Sequence, residues 1–326
     1  MKNFVTGATG FVGGNLVKEL VDRGEDVVAL VRRNSDTSKI KDLGVEFCEG
    51  DVLDKDSIMK AMKGCDMVFH SAALFVKKLR DTEQFYKVNV DGTKNVLSAA
   101  LKLKVSKVVH TSTAATTGVP ESGMANENTA FNKWDFSNDY TKSKYLGEKV
   151  AFEYASKGLP VVIVNPVAPI GAGDVKPTPT GQHIVSFVRG NVKYSMNGIN
   201  HYTYVGDVVK GHILAAEKGN VGQRYILGGH NIRAKNFLKL LEEVTGASSE
   251  KVRMLPYWAL VPAGYGISVL SKIRRKKSNL SDAVRYSRST PFYDFSKSVN
   301  ELGLPQTPLR IAVEEAFEWF KENNYV

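Results

Sequence analysis

The feature that most constrains the fold is a glycine-rich turn close to the start of the sequence. Residues 6–13 read T-G-A-T-G-F-V-G, which places three glycines at the spacing G-x-x-G-x-x-G. An apolar run precedes this turn and an amphipathic segment at 15–23 follows it, as in a strand, a tight turn and a helix. Such a turn lets backbone N–H groups and a helix N-terminus approach a pyrophosphate. The pattern predicts a dinucleotide-binding unit.

Each glycine of this turn has a predicted role. Gly7 would permit the turn, Gly10 would leave room for the phosphates, and Gly13 would let the helix pack closely on the strand. An ordinary strand–turn–helix is the alternative. The residues expected to contact the cofactor here are Gly7, Thr9, Gly10, Phe11, Val12 and Gly13.

The first half of the chain alternates between strand and helix patterns, which is typical of a doubly wound parallel sheet, the Rossmann fold. The predicted strands after the first are 27–31, 45–50, 67–70, 107–111 and 160–164, and helices are predicted at 57–62 and 93–103. We expect residues 1–165 to form an NADP(H)-binding domain, to which 201–227 return. Apart from 201–227, residues 166–326 would form a smaller, discontinuous and mostly helical lobe that binds the substrate.

A second motif combines a tyrosine with a lysine four positions later. Tyr140 and Lys144 lie on one face if the segment is helical, and the apolar positions Leu146, Val150 and Tyr154 support a helix. A free tyrosine has a pKa of about 10, and a neighbouring ammonium lowers that pKa. The pair therefore suits a general acid–base catalyst. A surface helix carrying both residues by chance is the alternative.

Hydroxyl side chains follow the strand predicted at 107–111. Ligands of open α/β sheets bind at the carboxyl ends of the strands. Thr113 could therefore hydrogen-bond a substrate oxygen there, and its neighbour Ser112 could hold that role instead. Alternatively, these hydroxyls only satisfy backbone groups at the strand end.

Taken together, the motifs resemble those of an extended short-chain dehydrogenase/reductase of the NAD-dependent epimerase/dehydratase family. The matching pieces, in family order, are 6–13, 50–54, 68–73, 89–93, 111–114, Tyr140 with Lys144, 165–166, 205–209 and 224–229. The chain looks most similar to the branch of dihydroflavonol-4-reductase-like proteins and hopanoid-associated sugar epimerases. The loop 169–181 closely resembles a loop of the latter group.

The resemblance implies further cofactor contacts beyond the glycine turn. Asp51 and Val52 would contact the adenine, although Asp51 could instead cap a helix. Asn89 would hold the backbone near the active site, and Pro166 would shape the nicotinamide end of the site. Tyr140 and Lys144 would also contact the cofactor. The segment after the fourth strand adds Ser71, Ala72 and Ala73.

The end of the second strand bears on the choice of cofactor. Sites selective for NAD place an acid there, whereas NADP sites place an arginine near the 2′-phosphate. This chain has Arg32 and Arg33 and no acid at the expected position. We therefore expect NADP(H), bound first by Arg32 or otherwise by Arg33. NAD(H) is the alternative, with Asp36 reaching the ribose.

Composition limits the remaining classes of function. The two cysteines, Cys48 and Cys65, have neither metal-ligand spacing nor a disulfide framework. We expect a cytoplasmic protein with no bound metal, no leader peptide and no transmembrane segment, because no apolar run reaches ~18 residues.

The net charge of +10 is dispersed except for a basic cluster at 272–277. We expect no nucleic-acid partner. The cluster follows an apolar stretch at 256–270 and is interpreted as a solvated helix end. Weak contact with anionic lipid and a cationic rim for an anionic substrate are the alternatives.

Three functions follow from these features. The first is an NADP(H)-dependent reductase of a small carbonyl compound, or dehydrogenase of the corresponding alcohol. The second is a nucleotide-sugar epimerase or dehydratase with tightly bound NAD(P), and the third is a regulatory protein that binds nucleotide without turnover. The resemblance also implies a homodimer.

Overall fold

The computed structural model describes residues 1–75, 81–255 and 291–326. The strands in this part of the chain, numbered in order, are β1 (Lys2–Thr6), β2 (Asp26–Val31), β3 (Glu46–Glu49), β4 (Met67–His70), β5 (Lys107–Thr111), β6 (Val161–Pro166), β7 (Pro169–Ile170), β8 (Tyr194–Met196), β9 (Ile199–Tyr204), β10 (Arg224–Leu227), β11 (His230–Arg233) and β12 (Arg253–Leu255). The α-helices are α1 (Phe11–Asp22), α2 (Lys55–Met62), α3 (Glu83–Tyr86), α4 (Thr93–Leu103), α5 (Asp139–Ser156), α6 (Pro179–Val188), α7 (Val205–Lys218), α8 (Ala234–Thr245) and α9 (Leu309–Glu322).

Seven strands form a parallel central sheet in the order β10-β6-β5-β4-β1-β2-β3. The predicted doubly wound sheet is therefore confirmed. The chain proceeds from β1 to β2 and β3 on one side, and then crosses to β4, β5 and β6 on the other. The strand order reverses at β1, so the glycine turn that follows β1 lies where ligands of such sheets bind.

Helices cover both faces of the central sheet, which explains why its strands are almost continuously apolar. On one face, Val5 of β1 packs with Leu16 of α1 and Ile213 of α7. On the other face, Phe4 packs with Leu97 of α4 and other residues of α2 and α4. Neighbouring residues of β1 thus belong to two separate core clusters.

A third core cluster lies between α6, α8, α9 and the small sheet β11-β9-β7. Phe187, Phe237 and Phe320 are buried in it, and the rings of Tyr202 and Phe237 lie 4.2 Å apart between centroids. The chain passes from β9 directly into α7, which packs on the central sheet, and β10 then joins the edge of that sheet beside β6. The predicted boundaries of the nucleotide domain and the substrate lobe stay a prediction.

Several element bounds differ by a few residues from the sequence predictions, among them those of α1, which begins at Phe11, and α2, which begins at Lys55. Strand β6 runs two residues further than predicted, to Pro166, because this end pairs with Leu227 of β10 and extends beyond the last pair with β5. A π-helical turn at Lys87–Gly92, which the sequence pattern did not indicate, precedes α4.

The basic cluster at 272–277 and the apolar stretch at 256–270 lie outside the described residues, so their predicted roles stay predictions. Within 1–75, 81–255 and 291–326, no helix is both long and apolar enough to cross a membrane.

Three histidines are fully buried in the central sheet and in α7. Burial lowers the pKa of His70 to about 3 and that of His212 to about 4, and it holds the pKa of His110 well below its usual range. His70 and His212 have hydrogen-bond partners, whereas neither ring nitrogen of His110 has one within the described residues. All three imidazoles are therefore neutral in the folded protein near pH 7.

These histidines predict sensitivity to acid. A histidine in the unfolded chain has a pKa of about 6.5. Below that pH the unfolded state binds more protons than the folded state, so the free energy of unfolding falls as the pH falls. Each buried histidine contributes a slope of up to ~1.4 kcal/mol per pH unit. Replacing His110 by leucine should remove one such contribution, measured by urea unfolding between pH 6 and pH 4.5. Equal slopes in the variant and the wild type would contradict this account, and above pH 7.5 the two pH dependences should agree.

Candidate functional site

The glycine turn brings backbone atoms too close for side chains. Gly7 has a φ of +72°, and a Cβ added there would lie 2.7 Å from the backbone nitrogen of Ala72. A Cβ on Gly13 would lie 2.1 Å from the carbonyl oxygen of Gly7. Gly10 is the residue immediately before α1. No described side chain caps this helix, and its first turn carries no acid. The open N–H groups and the close approach of the backbone fit a bound pyrophosphate. Three further predicted contact residues of the turn, Thr9, Phe11 and Val12, are partly buried.

A chain of hydrogen bonds fixes the end of β4 against this turn. Ala72 N donates to Thr6 Oγ1 (3.2 Å), which lies 2.7 Å from His70 Nδ1. On the other side, His70 Nε2 lies 3.0 Å from Thr93 Oγ1, and that hydroxyl donates to the carbonyl oxygen of Asn89 (2.8 Å). Because the Thr93 proton is used, His70 Nε2 donates and Nδ1 accepts. The side chain of His70 on β4 thus connects the end of β1 to the start of α4, which is a structural role.

Asn89 connects the loop after β4 to α5. Its Oδ1 accepts a hydrogen bond from Leu74 N (2.8 Å), and its Nδ2 donates to Ser143 Oγ (2.9 Å). This arrangement holds the segment of Ser71, Ala72 and Ala73 in place beside the glycine turn. The supporting position that the resemblance implies for Asn89 agrees with these contacts.

Tyr140 and Lys144 both lie on α5, one turn apart. Asn138 caps this helix by accepting a hydrogen bond from Thr141 N (2.8 Å). Lys144 is 2% exposed and its Nζ donates to the carbonyl oxygen of Thr111 at the end of β5 (2.7 Å). Burial lowers the pKa of Lys144 to about 8, against a smaller upward effect of the Glu148 charge. The Tyr140 ring lies 4.7 Å from that of Phe75 in the loop after β4.

The two candidate hydroxyls after β5 differ in accessibility. Ser112 is 5% exposed, and its Oγ has no hydrogen-bond partner within the described residues. Thr113 is partly exposed, and its Oγ1 accepts a hydrogen bond from Ala115 N (3.3 Å). The carbonyl oxygen of Thr113 also accepts from Thr116 N (3.0 Å), so the turn that carries both hydroxyls is fixed.

Both arginines after β2 are exposed at the expected end of the sheet. The backbone nitrogen of Arg32 donates to Ser35 Oγ (3.1 Å), which shapes the loop without using the guanidinium. Asp36 is exposed and accepts a hydrogen bond from Ser38 N (3.0 Å), and its hydrogen bonding with Ser38 lowers its pKa. This carboxylate therefore caps its own turn.

The same loop holds a lysine that was not predicted. Lys39 lies 5.4 Å above the centroid of the Trp319 ring, and burial lowers its pKa to about 8. It lines an open cavity of about 340 Å³ with Trp319 and Tyr325. No sequence signal linked Lys39 to α9, because that contact depends on tertiary packing.

The structure rejects the alternative interpretation of Asp51 as a helix cap. Asp54 caps α2, whereas Asp51 Oδ1 accepts a hydrogen bond from Leu53 N (2.9 Å) in a local turn. Val52 is buried, and its carbonyl oxygen accepts from Asn95 Nδ2 (3.0 Å). Pro166 is the last residue of β6 and therefore lies at the carboxyl edge of the central sheet.

Sequence reasoning missed a buried polar network beside Lys144. Glu148 accepts hydrogen bonds from Thr116, Asn165 and Arg224. The one signal was the continued four-residue spacing from Tyr140 through Lys144 to Glu148. Its partners lie on other elements, so the spacing alone could not identify them.

Comparisons with known proteins show which family model, relatives and solved structures this chain is similar to. The family model described as the NAD dependent epimerase/dehydratase family matches residues 3–228. A Synechocystis protein named as a dihydroflavonol 4-reductase is 39% identical over 329 residues, covering 99% of this chain and 95% of the relative. Sterol demethylase protein B of Methylococcus capsulatus is 33% identical and covers 100% of both chains. The crystal structure of gox2253 superimposes with a TM-score of 0.91, at 34% identity and 99% coverage of each chain.

The close approach at Gly13 predicts a local and severe effect of one methyl group. Gly13→Ala should destabilise the protein by about 1–3 kcal/mol through overpacking and should weaken nucleotide binding, because the turn must shift. Gly14→Ala is the matched control, since its Cβ would lie 3.3 Å from the nearest atom, the carbonyl oxygen of Ala8. Thermal unfolding and a nucleotide titration measure both effects. Equal behaviour of the two variants would contradict the proposed packing role of Gly13.

Proposed function

Because this chain belongs to the NAD dependent epimerase/dehydratase family, among the extended short-chain dehydrogenases/reductases, we propose that it is an NADP(H)-dependent oxidoreductase. It would reduce a carbonyl group of a small organic substrate, or oxidise the corresponding alcohol. The observation that carries this proposal is the placement of Lys144. Its buried ammonium is fixed at the carbonyl oxygen of Thr111, which ends β5, and it lies one helical turn from Tyr140. Ser112 and Thr113 follow Thr111 directly in the sequence.

Each residue of the site has a distinct role in this proposal. Tyr140 gives a proton to the substrate oxygen during reduction and takes it back during oxidation. Lys144 favours the ionised form of Tyr140 and holds the nicotinamide ribose. Thr113, the more accessible of the two hydroxyls, orients the substrate oxygen, and Ser112 is the alternative. A bound dihydronicotinamide would supply the hydride that goes to the carbonyl carbon.

The preference for NADP(H) rests on Arg32, with Arg33 as the second candidate. Both guanidinium groups are exposed beyond β2, and a guanidinium binds phosphate well. Asp36, the acid that would favour NAD(H), is engaged by Ser38 in its own turn. The remaining contacts of the proposed cofactor site are the glycine turn, Asp51, Val52, residues 71–73, Asn89 and Pro166.

The second candidate function is a nucleotide-sugar epimerase or dehydratase. The family description favours it, as does the resemblance of loop 169–181 to a loop of sugar epimerases. Such an enzyme oxidises and re-reduces its substrate with a cofactor that stays bound. The third candidate, a regulatory protein without turnover, is disfavoured because Tyr140 and Lys144 are both present.

The proposal includes a homodimer, as the resemblance implies. Phe152 on α5 is 36% exposed and would be covered if this helix lay in the dimer interface. A cytoplasmic location and the absence of a nucleic-acid partner stay predictions from the sequence.

The proposed acid–base role is tested by Tyr140→Phe, which keeps the ring and removes the hydroxyl. Turnover of NADPH with a carbonyl substrate should fall by at least about 100-fold, because general acid catalysis contributes that much, while NADPH still binds. The substrate panel begins with dihydroflavonols and sterol ketones, which the names of the relatives suggest. Tyr145→Phe on the same helix is the control, since the Tyr145 ring stacks on Phe131. Retained turnover in Tyr140→Phe would refute the assignment.

The cofactor preference is tested by Arg32→Ala. Loss of a charge-assisted contact with the 2′-phosphate should raise the Kd for NADPH by about 10- to 100-fold and leave the Kd for NADH unchanged. Fluorescence titration of both nucleotides measures this difference. Arg23→Ala is the control, because Arg23 pairs with Glu217 at the opposite end of α1. An equal loss of affinity for both nucleotides would contradict the role of Arg32, and Arg33→Ala then tests the second candidate.

A further inference from the structure

Glu148 continues the face of α5 that carries the proposed catalytic pair. It lies one turn beyond Lys144 and two turns beyond Tyr140, so the three side chains follow a single four-residue spacing. Unlike an ordinary helical glutamate, it is 2% exposed. A buried carboxylate requires specific partners, because an unpaired charge is costly away from water.

The partners of Glu148 come from three other elements. Its Oε2 accepts hydrogen bonds from Thr116 Oγ1 and Asn165 Nδ2, each at 2.8 Å. Its Oε1 accepts from Arg224 Nη1 of β10, also at 2.8 Å. Asn165 Nδ2 lies 3.1 Å from the carbonyl oxygen of Thr113 as well. The carboxylate therefore joins α5 to the turn that carries Thr113 and to the end of β6.

The other two nitrogens of the Arg224 guanidinium also donate hydrogen bonds. Arg224 Nε donates to the carbonyl oxygen of Glu127 (2.7 Å), and its Nη2 donates to that of Thr129 (3.1 Å). A buried ion pair persists only when its remaining donors and acceptors are bonded in this way.

Glu148 also contributes the negative charge beside Lys144. The groups that face Lys144 from the neighbouring strands are His70 on β4, and His110 and the carbonyl oxygen of Thr111 on β5. Both histidines are neutral because burial lowers the pKa of each. Among the charged groups in the described part of the chain, Glu148 is the one that favours the protonated form of Lys144, and it does so against the effect of burial.

We propose that Glu148 is a positioning residue of this site, which holds the Thr113 turn against α5 and acts as the counter-charge of the Lys144 ammonium. The positioning of a catalytic site rests on the proposed function. The effect of Glu148 on the Lys144 ammonium does not depend on that function. Arg224 also contributes to this arrangement, because its guanidinium binds the Glu148 carboxylate and partly offsets its negative charge.

The test compares the Lys144 pKa in the wild type, Glu148→Gln and the double variant Glu148→Gln/Arg224→Gln. The pKa is followed in the protein without cofactor, by NMR of lysine labelled with ¹³C at Cε, and the resonance is assigned by its loss in Lys144→Arg. The wild-type pKa should be about 8. In Glu148→Gln it should fall by about one unit, because the counter-charge is lost while the Arg224 cation stays. In the double variant it should lie between these values, and the exposed Glu153→Gln control should match the wild type.

This order of Lys144 pKa values among the variants distinguishes an electrostatic role of Glu148 from a structural one. A merely structural glutamate would reduce stability or activity without moving the Lys144 titration, so equal pKa values in all variants would overturn the proposal. If Glu148→Gln does not fold, the Lys144 pKa of the double variant is compared with that of the wild type and still tests the proposal. The double variant keeps hydrogen-bonding groups at both positions and has no buried unpaired charge. The alkaline limb of kcat/KM should move in the same order. Failure to find NADPH turnover in the wild type would refute the proposed function and leave the titration result standing.

Discussion

The hydrogen bond from Lys144 to the carbonyl oxygen of Thr111 is the interaction on which the site depends. It joins α5 to the end of β5 and places an ammonium group where it is almost completely buried. Burial of that charge requires a nearby anion, which Glu148 provides, and neutral neighbours, which His70 and His110 provide. The surroundings of Lys144 thus follow from the need to keep one buried cation stable.

Polar contacts connect the loops of the site to one another. The hydrogen bonds of His70 and Thr6 hold the segment after β4 against the glycine turn, and Asn89 connects the same segment to α5. Glu148 and Asn165 add the turn after β5. These hydrogen bonds connect the segments that follow β1, β4 and β5 and the end of β6, which the parallel sheet already places at one edge. A pre-organised edge of this kind lowers the cost of orienting a cofactor and a substrate.

The sequence predicted the features that depend on local patterns. The glycine turn, the strands of the central sheet and the helix of Tyr140 and Lys144 all have a short-range signature, and the structure contains each of them. The Glu148 network was missed, because Arg224 reaches it only through the pairing of β10 with β6. Lys39 was also missed, because its contact with Trp319 joins residues that are far apart in the sequence. The basic cluster at 272–277 lies outside the described residues, and the domain boundaries stay a prediction.

The central claim is that this protein exchanges NADP(H) during hydride transfer, and the most direct test is the identity of the nucleotide released when freshly purified protein is denatured. Little nucleotide should be retained, and any that is released should be NADP⁺ or NADPH, because a reductase must release its cofactor in every cycle. Stoichiometric NAD would contradict it. That result would mean a cofactor recycled in place, as in an epimerase, and the guanidinium of Arg32 would have no 2′-phosphate to bind.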